Sequence, residues 1–187
     1  FESKYAENPS DANLYGLALA YKKNNNFNEG LASLDKLLEK YPKNLVLNTT
    51  KVEFLSYFNK FNDALDLANK FLEISPKNYP LSLSKSQILL NMGQYFESEE
   101  IIRDQLLRKN DSPDLWFMLS ETQKTSQNIV GYHQSRAEYF LLLGQDEKAL
   151  NQLEFALQLT QNNFQVSDRI MTKIIEIKKS LQNSRGL

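Results

Sequence analysis

Residues 27–44 read FNEGLASLDKLLEKYPKN and residues 61–78 read FNDALDLANKFLEISPKN, with nine of the eighteen positions identical at an offset of 34. A chain repeats itself at such a period when one supersecondary unit cannot bury its apolar side alone and stacked copies complete the core. Phe27, Phe61 and Tyr95 keep the beat into a third copy. Small residues at Gly30, Ala64 and Ser98 are predicted to let helices approach closely, while larger residues fill the grooves between units. Pro42 and Pro76 are predicted just past a helix end, where a missing N–H and a fixed φ stop the helix without loss.

Composition narrows the function classes. The chain has 187 residues, is 41% hydrophobic and 24% charged, and has a formal net charge of -1, an ordinary globular balance. It lacks the broad basic surface of a nucleic-acid or membrane binder. No apolar run approaches the roughly 18 to 20 residues that span a bilayer. The absence of cysteine excludes disulfides, thiolate metal sites and thiol catalysis, and leaves the compartment open. The chain opens on Phe1 without a basic-then-apolar leader, which reads as a mature or excised piece. Asparagine is frequent, as in the run at 24–26, and falls at turn positions between periodic segments.

This period matches the tetratricopeptide repeat, a helix–turn–helix unit with the pattern W-x2-L-G-x2-Y, then A-x3-F, then P. The first unit offers Leu14, Leu17, Ala18, Tyr21, Gly30, Leu34 and Pro42. The second offers Val52, Leu55, Ala64, Ala68 and Pro76, with Asn48 and Lys51 departing from the pattern. The third has Leu89, Tyr95, Ser98 and Ile102, and Asn110 where proline is expected. The chain therefore resembles the tetratricopeptide family. The resemblance implies an all-α, right-handed superhelix of about ten helices in one domain over 1–187, with a stub helix at 1–7 and repeats at 11–44, 45–78 and 79–110.

After residue 110 the pattern slips. Trp116, Leu119 and Ser120 start a fourth unit in phase, but the next second-helix motif, EKALNQLEFALQL, puts Ala149 two and a half repeats beyond Ala64. Half a repeat is one helix, so an odd extra helix is expected near 129–143, inside an irregular region at 113–160. Finally Val166, Ile170, Ile174, Ile177 and Leu181 form one apolar stripe, which predicts an amphipathic helix over 164–183 that caps the open end of the stack. The first unit is apolar nearly all round from Leu14 to Tyr21. That predicts packing on more than one side, against a stub helix at Phe1 to Tyr5 or against a preceding domain.

Motifs for chemistry are absent. His133 is the sole histidine, so a zinc site of several histidines cannot form within the chain, and H-E-x-x-H, G-x-S-x-G, Walker A and G-x-G-x-x-G are missing. Adjacent carboxylates such as Glu99 and Glu100 or Asp146 and Glu147 diverge on a helix and read as solvated faces or helix starts. No catalytic residue, metal ligand or cofactor is assigned to this chain.

Binding remains. In the tetratricopeptide family the first helix of each unit lines a concave face, and side chains one turn apart grip an extended or helical segment of a partner protein. The resemblance places there Tyr15, Leu19 and Lys22, then Thr49, Glu53 and Tyr57, then Leu83, Gln87 and Asn91, then Phe117, Glu121 and Lys124. Tyr15 and Leu19 occupy the first two places of the lysine–asparagine set by which chaperone adaptors clamp a partner's terminal carboxylate, so that activity is not expected. Lysine at Glu53 and Glu121 is expected to leave folding intact and weaken a partner.

Residues 115–170 also resemble the C-terminal part of BepA-type periplasmic zinc metalloproteases. The matching residues are Trp116, then His133, Arg136, Ala137, Glu138 and Tyr139, then Gly144, Ala149, Gln152, Leu153 and Ala156, then Asn163 and Phe164. The resemblance implies that zinc and its ligands belong to an upstream domain and that this piece recruits and regulates. Its partners would be client polypeptides, the outer-membrane protein assembly machinery and the protease domain itself, in the periplasm. Arg136 and Glu138 are expected first as structural partners of neighbouring helices. A free-standing scaffold, such as a lipoprotein or a secretion-system adaptor, is the alternative.

Overall fold

The structure is a computed structural model and describes residues 2–160 and 162–185. Among the described residues there are eleven α-helices and no strand. They are α1 (Glu2–Glu7), α2 (Asp11–Lys23), α3 (Phe27–Lys40), α4 (Leu45–Tyr57), α5 (Phe61–Ile74), α6 (Tyr79–Asn91), α7 (Tyr95–Arg108), α8 (Pro113–Thr125), α9 (Ile129–Leu142), α10 (Asp146–Leu159) and α11 (Phe164–Arg185). The fold is an all-α helical repeat, as the period requires. Expected packing of α2 against Phe1 and the Tyr5 side chain lies outside the described residues; the α1 backbone does approach α2. Among the described residues no helix is long and apolar enough to cross a membrane.

The turns show how the repeat is written in the backbone. Asn25, Asn59, Gly93 and Gln127 have φ of 58, 58, 78 and 62° and recur once per repeat period. A left-handed residue ends a helix because it redirects the next N–H back to the last-turn carbonyls. Asn26, Lys60 and Asn128 accordingly donate their N–H groups to the carbonyls of Tyr21, Leu55 and Gln123 at 2.9, 2.9 and 2.8 Å. The Pro-Lys-Asn turns work from the other side: Asn44 and Asn78 accept from the N–H of Leu47 and Leu81 at 3.1 and 2.9 Å, capping α4 and α6. This is the use of the abundant asparagine.

The chain, taken above as one domain, divides into two compact units, Phe1–Gly93 and Gln94–Leu187. In the first, α2 to α5 pack in sequence and α6 lies on both α4 and α5. Val52, Leu55, Ala64, Ala68, Phe71, Leu81 and Ile88 form its largest buried cluster. The two departures of the second repeat have structural partners. Asn48 is buried, and its Nδ2 donates to the carbonyls of Pro42 and Asn44 at 3.1 and 2.9 Å. Lys51 Nζ reaches Asp35 Oδ1 on α3 at 2.6 Å, tying one hairpin to the next.

In the second unit α7, α8, α9, α10 and α11 pack in order. The extra helix expected near 129–143 is α9, and it has two roles. By position it is the second helix of a hairpin with α8, since α8 and α9 each start one full period after α6 and α7. By turn type it is also the first helix of a hairpin with α10: Gly144 has φ 67° and Gln145 N–H returns to the Phe140 carbonyl at 2.9 Å. The left-handed turn that elsewhere lies within a repeat here lies between repeats, and this produces the half-period slip. The apolar stripe of α11 closes the core: Ile170, Ile174 and Ile177 are buried with Ala137, Ala149, Leu150, Leu153 and Ala156, and Val166 and Leu181 pack at the edge.

Candidate functional site

Three helices of the first unit, α2, α4 and α6, frame an open groove of about 500 Å3. Lys22, Glu53, Tyr57, Leu83, Gln87 and Asn91 line it, six of the nine positions that the tetratricopeptide resemblance implies for these helices. Glu53 and Gln87, and likewise Tyr57 and Asn91, stand one period apart on α4 and α6 and turn to the same side. Ser56, Asn59 and Ser84 also line the groove and were missed. Ser56 follows Glu53 at a step of three, an equally close neighbour on a helix, and lies one period after Lys22.

The lining is polar and already engaged in light contacts. Lys22 Nζ sits 5.2 Å from the centre of the Tyr57 ring, a cation–π geometry, and Tyr57 Oη donates to Asn25 Oδ1 at 3.2 Å. Ser84 Oγ donates to Glu53 Oε1 at 3.4 Å, and Gln87 Nε2 to Asn91 Oδ1 at 3.1 Å. One cation, one carboxylate, several amides and hydroxyls, and one half-exposed aromatic ring line the groove side by side.

The remaining positions separate by burial. Tyr15 turns into the helix packing, with its hydroxyl 3.0 Å from Thr50 Oγ1 on α4. Thr50 itself donates to the Val46 carbonyl, so Tyr15 is the donor. Leu19 is exposed on α2 and Thr49 half-buried on α4; neither lines the groove.

In the second unit Phe117, Glu121 and Lys124 lie on α8 and meet α9. Arg136 stacks its guanidinium 4.7, 5.1 and 5.4 Å from the ring centres of Phe117, Tyr139 and Phe140. Its Nη1 is 3.7 Å from Glu121 Oε1, and that nitrogen is buried without a hydrogen-bond partner. Lys124 lies over Tyr132 at 5.9 Å. Glu138 pairs with Lys173 of α11. Arg136 and Glu138 thus tie α9 to its neighbours. Glu121 is one of those ties, which corrects the expectation that Glu121→Lys would leave folding untouched: a lysine would face a partly buried arginine. Trp116 Nε1 donates to the Asn110 carbonyl at 2.8 Å, holding the turn where the repeat proline is missing. His133 Nδ1 is 2.8 Å from Gln152 Oε1, with its ring beside Phe155. Among the described residues no three His, Asp or Glu side chains converge as a metal site requires.

No protein-family model matches this chain, and no curated protein does. Solved structures do. Residues 41 to the end of MamA from Desulfovibrio magneticus RS-1 superpose with a TM-score of 0.61 at 14% identity, covering 91% of this chain and 97% of that one. A tetratricopeptide repeat protein from Parabacteroides merdae ATCC 43184 gives 0.59 at 15% identity, covering 93% and 75%. Naa15/Naa10 bound to HypK-THB gives 0.54 at 19% identity, covering 92% of this chain and 35% of that one. Likeness at these identities carries the fold alone, and that fold is the one shared by tetratricopeptide-repeat proteins.

Proposed function

We propose that this chain is a protein-binding module whose groove between α2, α4 and α6 takes a segment of a partner polypeptide. One observation carries the reading: six positions that the tetratricopeptide resemblance implies for a concave face line a single open groove in which amides, hydroxyls and one opposed pair of charges, Lys22 and Glu53, face solvent. The solved Naa15/Naa10 structure, whose fold is similar, is bound to HypK.

The experiment places a photo-crosslinking residue at Gln87 in the groove or at Asp66, exposed on α5, in the full-length protein in its own cell. The reading expects a discrete adduct from Gln87, none from Asp66, and loss of the adduct when Glu53→Lys is added without change in the melting curve. Equal labelling from both positions, or an adduct indifferent to Glu53→Lys, removes the groove from the function.

We further propose that the module is the recruiting and regulatory arm of a periplasmic zinc metalloprotease in outer-membrane protein assembly and quality control. Support comes from the resemblance of residues 115–170, with Trp116, His133, Arg136, Glu138 and Tyr139 in place. Zinc would be held by another domain, and no residue of this chain is assigned to it. A full-length gene product with an export signal, an H-E-x-x-H helix and one zinc per chain supports the reading; one with neither motif nor zinc favours a free-standing scaffold. That second reading draws on the MamA fragment, nearly all of which this chain covers.

A further inference from the structure

The terminal helix α11 carries two stripes. One is the buried stripe described above. The other is made of Phe164, Asp168, Met171, Ile175, Lys178 and Gln182, recurring at steps of four and three, the spacing of a seam between two helices. All six are exposed, and Phe164, Met171 and Ile175 are 83, 45 and 47% accessible. Among the described residues of its own unit, nothing covers this face with its three large apolar residues at seam spacing.

The order of residues along this stripe selects its occupant. Taken about Lys173, the stripe is self-complementary when reversed: Met171 stands at the level of Ile175, Asp168 at the level of Lys178, and Phe164 at the level of Gln182. An antiparallel copy therefore meets apolar with apolar at the centre and acid with base on either side, twice over, as a two-fold axis demands. Parallel pairing in register would set Asp168 on Asp168 and Lys178 on Lys178, like charges across a seam. An intramolecular competitor for Lys178 is weak: its Nζ lies 3.3 Å from Glu154 Oε1, with both side chains about half exposed.

We propose that α11 is a homodimerisation helix, joining two copies of this chain antiparallel through Met171 and Ile175, with Asp168–Lys178 pairs setting the direction. A short two-helix seam is at the small end of specific interfaces, so the dimer is expected to form in the micromolar range.

The test is sedimentation velocity of the whole chain at about 100 µM, a concentration matched to that affinity range. The wild type is expected at twice the monomer mass. Met171→Glu with Ile175→Glu should weaken the dimer at least about tenfold with an unchanged circular-dichroism melt, since both residues are exposed. Asp168→Lys alone and Lys178→Asp alone should each be monomeric, and an equal mixture of the two should recover the dimer, because every seam contact in the mixed pair is again opposite in sign. Three results overturn the proposal: a monomeric wild type at this concentration, a dimer that survives the double glutamate, or a mixture of charge variants that stays monomeric.

Discussion

Gly30 on α3 faces the ring of Phe54 on α4 so closely that a Cβ on Gly30 would stand 2.5 Å from Phe54 Cζ and 3.2 Å from Tyr21 Cβ. The glycine of the repeat therefore makes room for a side chain of the following hairpin even more than for its own partner helix. Phe54 is fully buried with Ala18 and Leu34 and stacks with Phe27 and Phe58 at ring distances of 5.8 and 4.9 Å, so it has nowhere to retreat. Gly30→Leu should cost about 1–3 kcal/mol by overpacking, read from urea unfolding. In Gly30→Leu with Phe54→Ala the loss should be smaller than the sum of the two single losses, because the new side chain enters the vacated volume. Strict additivity would show that the two residues do not share that space.

Gln127 adopts φ 62° in the turn between α8 and α9, where the earlier repeats use asparagine or glycine. A glutamine has neither glycine's freedom nor asparagine's short local hydrogen bond, and left-handed backbone costs such a residue roughly 1–2 kcal/mol. Gln127→Gly should raise stability by up to about 1 kcal/mol, after the added entropy of the unfolded chain is deducted. The measurement is a paired urea titration. A Gln127→Gly protein less stable than wild type would mean that the side chain itself is needed in the turn.

This position also marks what the sequence could and could not disclose. Identity between 27–44 and 61–78 exposes the repeat because its apolar and turn residues are under the same steric demand in each copy. At Gln127 the same backbone demand is met by an unfavourable residue, so the turn leaves no trace in residue type. Gly144 then supplies a conspicuous left-handed turn half a period out of place, and residue patterns follow it into α10. Of the positions that the resemblance implied for the first unit, Lys22, Glu53, Tyr57, Leu83, Gln87 and Asn91 line the groove. Tyr15, Leu19 and Thr49 do not line it: Thr50 on α4 draws Tyr15 into packing, and Leu19 and Thr49 stay outside although Glu53 and Leu83, one period later, line it.

Asp11 and Lys40 give the first hairpin a pH dependence. Asp11 Oδ2 accepts from Lys40 Nζ at 2.6 Å and from Tyr41 Oη at 2.8 Å. The hydrogen bond from Lys40 first, and that from Tyr41 second, hold the Asp11 carboxyl below the usual carboxylate range. The lysine is raised above its ordinary value by the same contact. A carboxyl depressed in the folded state adds stability above its unfolded pKa, about 4, and that stability is lost as pH falls through the lower folded value. The raised lysine adds stability below its unfolded pKa, about 10, lost as pH rises through the higher folded one. Both groups are at the surface, so the effect is small. Asp11→Asn should lose this small contribution at neutrality and converge on the wild type in acid, flattening the stability curve between about pH 5 and pH 2, the range in which carboxylates titrate. A variant with the same acid limb as wild type would exclude the contact in solution.

Arg136 tests whether the second unit is held by charge or by shape. Its guanidinium lies against Phe117, Tyr139 and Phe140, its Nη1 lacks a hydrogen bond, and Glu121 is 3.7 Å away. An arginine so placed stabilises mainly through its stem and flat face, while the orphan nitrogen works against it. Arg136→Ala should therefore lose about 1–3 kcal/mol, by removing contact with three rings at once. Arg136→Met restores the stem, removes the unsatisfied nitrogen and leaves Glu121, which is partly exposed, to solvent; it should recover most of that loss. Arg136→Lys keeps the charge without the planar face and should fall between them. If Met is as damaging as Ala and Lys is harmless, the ion pair with Glu121 outweighs the packing, and α8 and α9 are joined by electrostatics that added salt would then weaken.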